Sequence, residues 1–386
     1  MGLGALCLFF AAAETAVRVM GEWDASGNFY FKNRIIHPHR LPLKLVTDGA
    51  RALRRSDESI VTYHPVLGWA PRPGATSADG LYSYNSQGIR SPVPAYSDHP
   101  AEGVLRIALF GDSFTHGDDV PLEHSWGSVL QQKLNEAGQP AEVLNFGVGG
   151  YGMDQALLRF KQQGSALAPD LVVFGFQAEN LKRNRNLLRP LYDPRSGLPF
   201  AKPRFILTDL GIELINIPVL PPDRLAETLR DFDAWELRPH EYFYDPEDFQ
   251  GSWWQHSKLL ATVVDLKVHR EDRWLLKRII FEDRGEEQQL GWAVTRAFSQ
   301  EAAAAGARFM IVHLPSQQEM ELRAGLGRWS YQRFLDALDE SFEVVHPEDD
   351  LIRAVSGGGY GEIFAGHYNQ NGNRIIAESI LSHLTD

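Results

Sequence analysis

The sequence predicts an α/β protein built on a three-layer, doubly wound parallel sheet. From about Leu105 onward, short apolar runs that resemble buried strands alternate with segments whose apolar residues recur at helical spacing. Polar or glycine-rich loops follow the apolar runs, where strands would end. Alternation of this kind is typical of parallel strands that are joined by right-handed crossovers and covered by helices on both faces.

The elements follow one another in a regular order from residue 105. The first predicted strand is LRIALF, and the helix after it, WGSVLQQKLNEAG, ends in a glycine suited to a C-cap. The later predicted strands are EVLNF, DLVVFGF, RFMIVHL and FEVVHP. The later predicted helices are MDQALLRFKQQG, LGWAVTRAFSQEAAAAGA, YQRFLDALDE and NGNRIIAESILSHL.

Two regions depart from this alternation and set the predicted domain organisation. Residues 21–104 are rich in Pro, Gly, Tyr and His, which predicts an N-terminal extension of turns and short strands. The main domain is then 105–386, with an insertion at about 186–285. We expect the insertion to lie over the carboxyl ends of the strands, where such sheets bind ligands.

Residues 1–20 contain an apolar run that is interrupted by Glu14 and Arg18. Its first twelve apolar residues would span about 18 Å as a helix, less than the roughly 30 Å of a membrane core. A buried N-terminal helix is one interpretation. We favour a truncated signal-anchor, which predicts inner-membrane anchoring with the main domain in the periplasm or outside the cell. The single cysteine, Cys7, lies in this run, so no intramolecular disulfide is expected.

The composition is that of a soluble globular protein, with 44% hydrophobic and 23% charged residues. The formal net charge of −12 argues against a nucleic-acid partner, because affinity for a polyanion depends on basic residues that displace its counterions. The histidines lack the close paired spacing of a zinc site, so neither a metal nor another cofactor is expected.

The loop after the first strand, GDSFTHG at 111–117, carries the first candidate for chemistry. A serine at the carboxyl end of a buried strand presents its hydroxyl to the crevice, and the helix that follows offers free N–H groups to an oxyanion. Alternatively, Asp112 and Ser113 are only a helix N-cap.

A second candidate is the G-x-G-x-x-G pattern formed by Gly147, Gly149 and Gly152 after the strand EVLNF. In a dinucleotide site, an acidic residue ends the next strand about 20 residues later. Here Asp170 begins that strand instead of ending it. We therefore interpret the glycines as a tight loop near the serine and not as a cradle for a pyrophosphate.

Polar residues follow three strands in order: Ser113, the glycine loop after Asn145, and Asn180 in GFQAEN; His367 precedes the last helix. This order resembles the SGNH (GDSL-like) hydrolase superfamily, in particular its membrane-tethered bacterial members. The resemblance implies the flavodoxin-like fold of that superfamily. It also implies that Ser113 is the nucleophile, that His367 is the general base, and that Ser113, Gly150 and Asn180 form the oxyanion hole.

The sequence departs from the family pattern beside the histidine. The superfamily usually has an aspartate two or three residues before it, and these positions are Ala365 and Phe364 here. Three alternatives remain open. The site is a Ser–His dyad whose imidazole is held by a backbone carbonyl, or another acid takes the place of the aspartate, or the site is catalytically inactive. The acids Glu362, Asp349 and Asp350 lie nearby in sequence, but none fits the motif.

The resemblance implies a serine esterase that hydrolyses acyl esters through an acyl-enzyme on Ser113, and O-acetyl esters are the expected substrates. The expected substrate is an ester of a small molecule or of a polysaccharide. If it is a polysaccharide, we expect one of the cell envelope or one that the cell exports. A polysaccharide O-acetyltransferase uses the same nucleophile and oxyanion hole. An inactive carbohydrate-binding scaffold is the alternative from outside the enzymes.

Overall fold

The computed structural model describes residues 2–32, 34–55, 59–268, 281 and 284–385. Its strands are β1 (Glu22–Trp23), β2 (Phe29–Phe31), β3 (Arg34–Ile36), β4 (Val61–His64), β5 (Gly68–Pro71), β6 (Leu105–Phe110), β7 (Ala141–Asn145), β8 (Leu171–Phe176), β9 (Arg204–Thr208), β10 (Gly211–Ile215), β11 (Arg308–His313), β12 (Glu343–Val345), β13 (Phe364–Ala365) and β14 (His367–Tyr368).

The α-helices are α1 (Gly2–Met20), α2 (Leu43–Arg55), α3 (Ser113–His116), α4 (Trp126–Glu136), α5 (Met153–Gln162), α6 (Glu179–Arg183), α7 (Arg189–Tyr192), α8 (Pro222–Thr228), α9 (Pro246–Phe249), α10 (Lys258–Val268), α11 (Glu286–Ala304), α12 (Gln317–Leu326), α13 (Gln332–Asp339), α14 (Glu348–Gly358) and α15 (Gln370–Thr385). Short 3₁₀ helices occur at Leu122–His124, Gly164–Leu167, Leu229–Ala234, Arg238–His240, Trp253–His256 and Tyr360–Glu362.

The chain divides into two compact units. The sheet unit comprises Ser56–Asn184, Pro203–Val219 and Phe281–Asp386. The second unit comprises Met1–Arg55, Arg185–Lys202 and Leu220–Ile280, so it draws on both ends of the region predicted as an insertion. Of that predicted insertion, 269–280 and 282–283 lie outside the described residues.

The sheet unit is organised around five parallel strands in the order β12-β11-β8-β6-β7. The first strand of this sheet in sequence, β6, therefore lies between the second and the third. This is the flavodoxin-like order, and its switch point lies between β6 and β8. The predicted doubly wound α/β fold is confirmed, and the switch point is where such folds bind their ligands.

Helices cover both faces of this sheet, as two adjacent residues of β6 show. A Cβ built at Gly127 in α4 would lie 2.5 Å from the side chain of Leu109. The ring of Phe110 lies 5.5 Å from that of Phe160 in α5 and 5.7 Å from that of Phe298 in α11. Because neighbouring strand residues point to opposite faces, α4 lies on one face and α5 and α11 on the other.

Hairpins complete the sheet unit. The antiparallel pairs are β4 with β5, β9 with β10, and β13 with β14. The last hairpin is short and leads directly into α15, which packs against α4. The second strand of this hairpin, β14, contacts α3, so the chain just before the final helix lies next to the short helix that follows β6.

The second unit contains the three-stranded antiparallel sheet β1-β2-β3 and the helix α2. The expectation of only turns and short strands in 21–104 is wrong over Leu43–Arg55. The apolar residues Leu45, Val46 and Ala50 recur at helical spacing and are buried, and α2 packs against α8. Burial of this apolar stripe stabilises the helix. The helix was not predicted because the sequence around it is rich in proline and glycine.

The N-terminal helix α1 contacts α10 within the same unit. The Glu14 carboxylate accepts hydrogen bonds from the backbone N–H groups of Lys258 and Leu259, at 2.9 and 2.8 Å. Arg18 donates to the carbonyl of His256 at 2.8 Å. The two charges that interrupt the apolar run thus bind the first turn of α10 and the residues before it. Among the described helices, none is both long and apolar enough to cross a membrane.

Candidate active site

Ser113 is the first residue of α3, directly after β6 and Gly111–Asp112. The side chain of Asp112 caps this helix, because its carboxylate accepts a hydrogen bond from the backbone N–H of Phe114 at 2.9 Å. The N-cap role that the sequence left open therefore belongs to Asp112. The hydroxyl of Ser113 is left to contact another partner.

That partner is His367. Its Nε2 lies 2.9 Å from Oγ of Ser113, although 254 positions separate the two residues. His367 belongs to β14, and its ring packs edge-on against the ring of Phe114, with the centroids 4.9 Å apart. The hairpin and this aromatic contact hold the imidazole against the serine. The structure thus brings together the two residues that the family order singled out.

The second imidazole nitrogen of His367 contacts Asp119. Its Nδ1 lies 2.8 Å from Oδ2 of Asp119, and the backbone N–H of His367 donates to the same oxygen at 3.1 Å. Asp119 lies in the loop after α3 with φ of +68°, a left-handed conformation that aspartate tolerates better than most residues. It follows the serine by six positions, whereas the family pattern expects the acid just before the histidine.

This contact answers the question that the sequence left open at Ala365. The three acids considered from sequence proximity, Glu362, Asp349 and Asp350, are not the carboxylates that contact the imidazole. Ala365 pairs with His367 across the β13–β14 hairpin. The position that usually holds the aspartate is therefore an alanine that pairs with His367 in the hairpin and has no carboxylate.

The contacts of His367 also define its tautomer. An ionised carboxylate can only accept hydrogen bonds, so Nδ1 carries a hydrogen and donates it to Asp119. The lone pair of Nε2 is then directed at Ser113, whose hydroxyl donates to it. Nε2 of His367 is therefore positioned to receive the proton of the serine hydroxyl.

Gly150 lies in the glycine loop that follows β7 in the sheet unit. The indole N–H of Trp69 donates to the carbonyl of Gly149 at 3.2 Å. In a planar trans peptide the carbonyl and the next N–H point in opposite directions, so the N–H of Gly150 points away from Trp69. Gly150 has φ of +81°, which residues with a Cβ rarely adopt.

The first glycine of the G-x-G-x-x-G pattern has a packing role. A Cβ at Gly147 would lie 2.3 Å from the backbone nitrogen of His116, so only glycine allows the loop to approach α3 this closely. Asn145 ties the same two segments together, since its amide donates to the carbonyl of Thr115 at 3.0 Å and accepts from Gly147 N–H at 2.9 Å. The loop is thus built to lie against the helix that carries Ser113.

Asp170, the acid at the spacing that a dinucleotide site requires, lies at the opposite end of the sheet. Its carboxylate accepts a hydrogen bond from the backbone N–H of Arg106 at 2.8 Å, at the amino end of β6. A ribose bound at the carboxyl ends of the strands would be out of its reach. This placement agrees with the interpretation of the glycines as a tight loop.

Asn180 is the second residue of α6, after β8, and is buried. Its Oδ1 accepts a hydrogen bond from Arg183 Nη1 at 2.9 Å, and the same Arg183 nitrogen donates to Asp112 at 2.8 Å. Because arginine can only donate, it holds the oxygen of the Asn180 amide and leaves the NH₂ group for another acceptor. One guanidinium thus orients both the cap of α3 and the Asn180 amide.

His116 has a structural role. Its Nδ1 lies 2.5 Å from Asp118 Oδ1, its Nε2 lies 2.9 Å from the hydroxyl of Tyr84, and the ring is buried. Burial lowers the pKa of His116 despite the neighbouring carboxylate. Because both ring nitrogens of His116 are engaged inside the protein, neither is available to a bound molecule.

Sequence reasoning missed three residues around the site: Asp119, Trp69 and Arg183. The signal for Asp119 was present, since an Asp-Asp pair follows the serine loop, but its partner lies 248 positions away. Trp69 comes from the region that reads as an extension without chemistry. Arg183 contacts Asn180 across one helical turn, a spacing that many surface pairs share.

Comparison with known families bears on this geometry. Residues 109–235 match the model of the GDSL-like Lipase/Acylhydrolase family. This segment of the chain resembles that family. This segment includes Ser113, Gly150 and Asn180, and His367 lies beyond it. The resemblance to the GDSL-like proteins that the motifs indicated is confirmed.

Individual proteins also resemble parts of this chain. An arylesterase of Vibrio mimicus is 33% identical over 75 residues, which are 19% of this chain and 38% of that protein. A member of the lipolytic G-D-S-L family from Veillonella parvula is 14% identical, with coverage of 73% and 98% of the two chains and a TM-score of 0.35. An acetylxylan esterase of Geobacillus stearothermophilus is 11% identical, with coverage of 73% and 94% and a TM-score of 0.38.

Proposed function

We propose that this protein is a serine esterase that hydrolyses acyl esters through a covalent intermediate on Ser113. The observation that carries the proposal is the hydrogen-bonded chain from Ser113 to His367 to Asp119, with distances of 2.9 and 2.8 Å. Nucleophile, base and orienting acid in this order are the arrangement that activates a serine hydroxyl. Residues 109–235 resemble a family of lipases and acylhydrolases, and we propose the same kind of ester hydrolysis for the whole chain.

In the acylation half-reaction, Oγ of Ser113 attacks the ester carbonyl carbon while its proton passes to Nε2 of His367. The resulting imidazolium is stabilised by the Asp119 carboxylate. The carbonyl oxygen becomes an oxyanion, for which the N–H groups of Ser113 and Gly150 and the amide of Asn180 are the proposed donors. Collapse of the intermediate breaks the ester bond, and His367 returns the proton to the departing alcohol.

In the second half-reaction, water replaces the alcohol. Nε2 of His367 removes a proton from the water as its oxygen attacks the acyl carbon on Ser113. The second tetrahedral intermediate uses the same oxyanion donors. It then collapses to release the carboxylic acid and to return the proton to Ser113 Oγ, which restores the starting state.

The finer substrate that we propose is an O-acetyl ester of an envelope or exported polysaccharide. The support is the membrane-tethered type that the sequence resembles and the esterase name of the curated Vibrio mimicus relative, of which the matched stretch covers 38%.

We also propose that the protein works outside the cytoplasm, bound to the envelope through α1. The support is the apolar surface of that helix, where Leu8 and Phe9 are 74% and 68% exposed. A C-terminal alkaline phosphatase fusion of the full chain is expected to be active. An inactive fusion, with activity from a cytoplasmic reporter instead, would disprove this location.

The activity is tested by turnover of p-nitrophenyl acetate by the wild-type protein, Ser113→Ala and Ser356→Ala. Ser356 is an exposed serine of α14 and provides a matched control. We expect loss of turnover in Ser113→Ala alone, with unchanged circular dichroism. Wild-type protein that is inactive on acetyl, butyryl and aryl esters would favour a scaffold. Acetyl transfer to an added oligosaccharide, faster than to water, would identify an acetyltransferase.

A further inference from the structure

The second unit contains a cluster of histidine and aspartate side chains that could bind a metal ion. The proposed esterase mechanism does not use these side chains. His37 and His39 follow β3, and Asp248 belongs to α9. One possible ligand atom from each of the three lies within 4.8 Å of those of the other two. All three residues are buried, with relative exposures of 7%, 7% and 5%.

We propose that His37, His39 and Asp248 bind a divalent transition-metal ion, with zinc as the first candidate. Two imidazoles and a carboxylate are a donor set that zinc accepts, with metal–ligand bonds of about 2.0–2.2 Å. Ligand atoms on a tetrahedral ion lie about 3.3 Å apart at such bond lengths. Small side-chain rotations would therefore bring the three groups to bonding distance.

Asp265 in α10 supports this assignment by its contact with His37. Its carboxylate lies 2.7 Å from Nδ1 of His37 and is itself buried. A carboxylate that accepts from one imidazole nitrogen directs the other nitrogen, Nε2, toward the metal, and this is the usual support of histidine ligands. Nε2 of His37 already points at Asp248, at 3.2 Å.

The backbone holds the ligands together independently of any ion. The N–H of His39 donates to the carbonyl of Asp248 at 2.7 Å, and the ring of His39 packs edge-on against Phe249 at 5.8 Å. The rings of His37 and His39 stack at 4.3 Å. An ion here would join the segment after β3 to α9 and, through Asp265, to α10. An ion that joins these segments would stabilise the folded unit, because the ligands come together only in the folded chain.

Sequence spacing alone did not indicate this site. His37 and His39 are two residues apart, and their carboxylate partners lie more than 200 positions later, so no compact motif exists. The described residues contain a second possible group, His313, His346 and Glu348, in which His346 is exposed to water. We place the ion at the first group because all of its members are buried.

The test uses the full chain after removal of metals with EDTA. Zinc is added, and binding is measured by calorimetry, by metal content after dialysis, and by the thermal unfolding midpoint. We expect one zinc per chain and a higher midpoint. His39→Ala, His39→Gln and Asp248→Asn should each lose the stoichiometric ion, and Asp265→Asn should weaken binding by about 10- to 100-fold.

Two matched variants make the test specific. His256→Ala removes an exposed histidine of the same unit, and His346→Ala removes a ligand of the other group. Both should retain one zinc per chain. The proposal is overturned if wild-type protein retains no zinc, if folded His39→Gln binds zinc as the wild type does, or if His346→Ala is the variant that loses the ion. Circular dichroism establishes that each variant is folded.

Discussion

Asp119 accepts a hydrogen bond from Nδ1 of His367 at 2.8 Å, across 248 positions of the chain. The acid therefore comes from the loop that follows the serine helix and not from the segment before the histidine. The segment from Ser113 to Asp119, which comprises α3 and the loop after it, thus supplies both ends of the Ser113–His367–Asp119 chain. The hairpin that carries His367 closes onto it.

The first prediction concerns this acid. Asp119→Asn removes the negative charge that stabilises the imidazolium and presents an amide that can donate to Nδ1, which favours the wrong tautomer. In a serine protease triad the equivalent change costs about 10⁴ in kcat. Because the Asp119 side chain is 46% exposed, we expect a loss of about 10²- to 10⁴-fold in kcat on p-nitrophenyl acetate.

The controls for this prediction are Glu362→Gln and Asp349→Asn, which remove two of the acids that the sequence analysis considered beside His367. Neither should change kcat by more than a small factor. If either control cripples the enzyme while Asp119→Asn does not, the acid has been assigned wrongly. A pH–rate profile of each variant distinguishes loss of the base from loss of its orientation.

The second prediction concerns the oxyanion. Asn180→Ala removes one proposed donor, and loss of one such donor typically costs about 10²- to 10³-fold in kcat. KM should change little, because the donor acts on charge that develops only in the transition state. A rise in KM with unchanged kcat would show instead that Asn180 contributes to ground-state binding.

The third prediction concerns the glycine loop. Trp69→Phe keeps an aromatic ring but removes the N–H that holds the Gly149 carbonyl, so the Gly150 N–H is no longer fixed. We expect kcat to fall by about tenfold with little change in KM, less than for outright loss of an oxyanion donor. The buried Trp329 of the same unit provides the matched control, Trp329→Phe. Equal effects of the two substitutions would indicate general loosening of the core.

The fourth prediction concerns pH and the N-terminal helix. Burial raises the pKa of Glu14, but hydrogen bonds from Leu259, Lys258 and Ser257 outweigh it and lower the pKa to about 2. Because the pKa is lowered in the folded state, the ionised carboxylate stabilises the fold at pH values above its ordinary pKa of 4.5. This stabilisation is lost as the pH falls from 4.5 toward 2.

Glu14→Gln should therefore reduce the free energy of unfolding at pH 7 by about 1–2 kcal/mol, as loss of a helix cap does. The difference from wild type should narrow below pH 4.5. Urea denaturation at several pH values measures it, and Glu22→Gln, a change at an exposed acid of the same unit, is the control. A difference that stays constant down to pH 2 would disprove the role of the ionised carboxylate.

Much of the sheet unit was predictable because its strands are short, apolar and bounded by turn residues. The predicted strand LRIALF coincides with β6, and the helix after it coincides with α4 apart from its last residues. Ser113, the glycine loop after Asn145 and Asn180 were singled out because each follows a strand, and the ends of parallel strands meet at one edge. Within that loop, Gly150 was chosen only because of the family resemblance.

The contacts that sequence reasoning missed are those between segments distant in the chain. Asp119 with His367, and His37 with Asp248, have no spacing that a motif could record. The helix α2 was missed for a different reason, because turn-forming residues on either side outweighed its own amphipathic pattern. Tertiary packing, and not local propensity, decides such elements.

The most direct test of the central claim is to trap the acyl-enzyme. Rapid mixing with p-nitrophenyl acetate should release a burst of nitrophenolate equal to the enzyme concentration if deacylation is the slower step. Mass spectrometry of the acid-quenched protein should place one acetyl group on the peptide that contains Ser113, and none in Ser113→Ala. Hydrolysis that proceeds in Ser113→Ala at the wild-type rate, or an acetyl group found on another residue, would contradict the account.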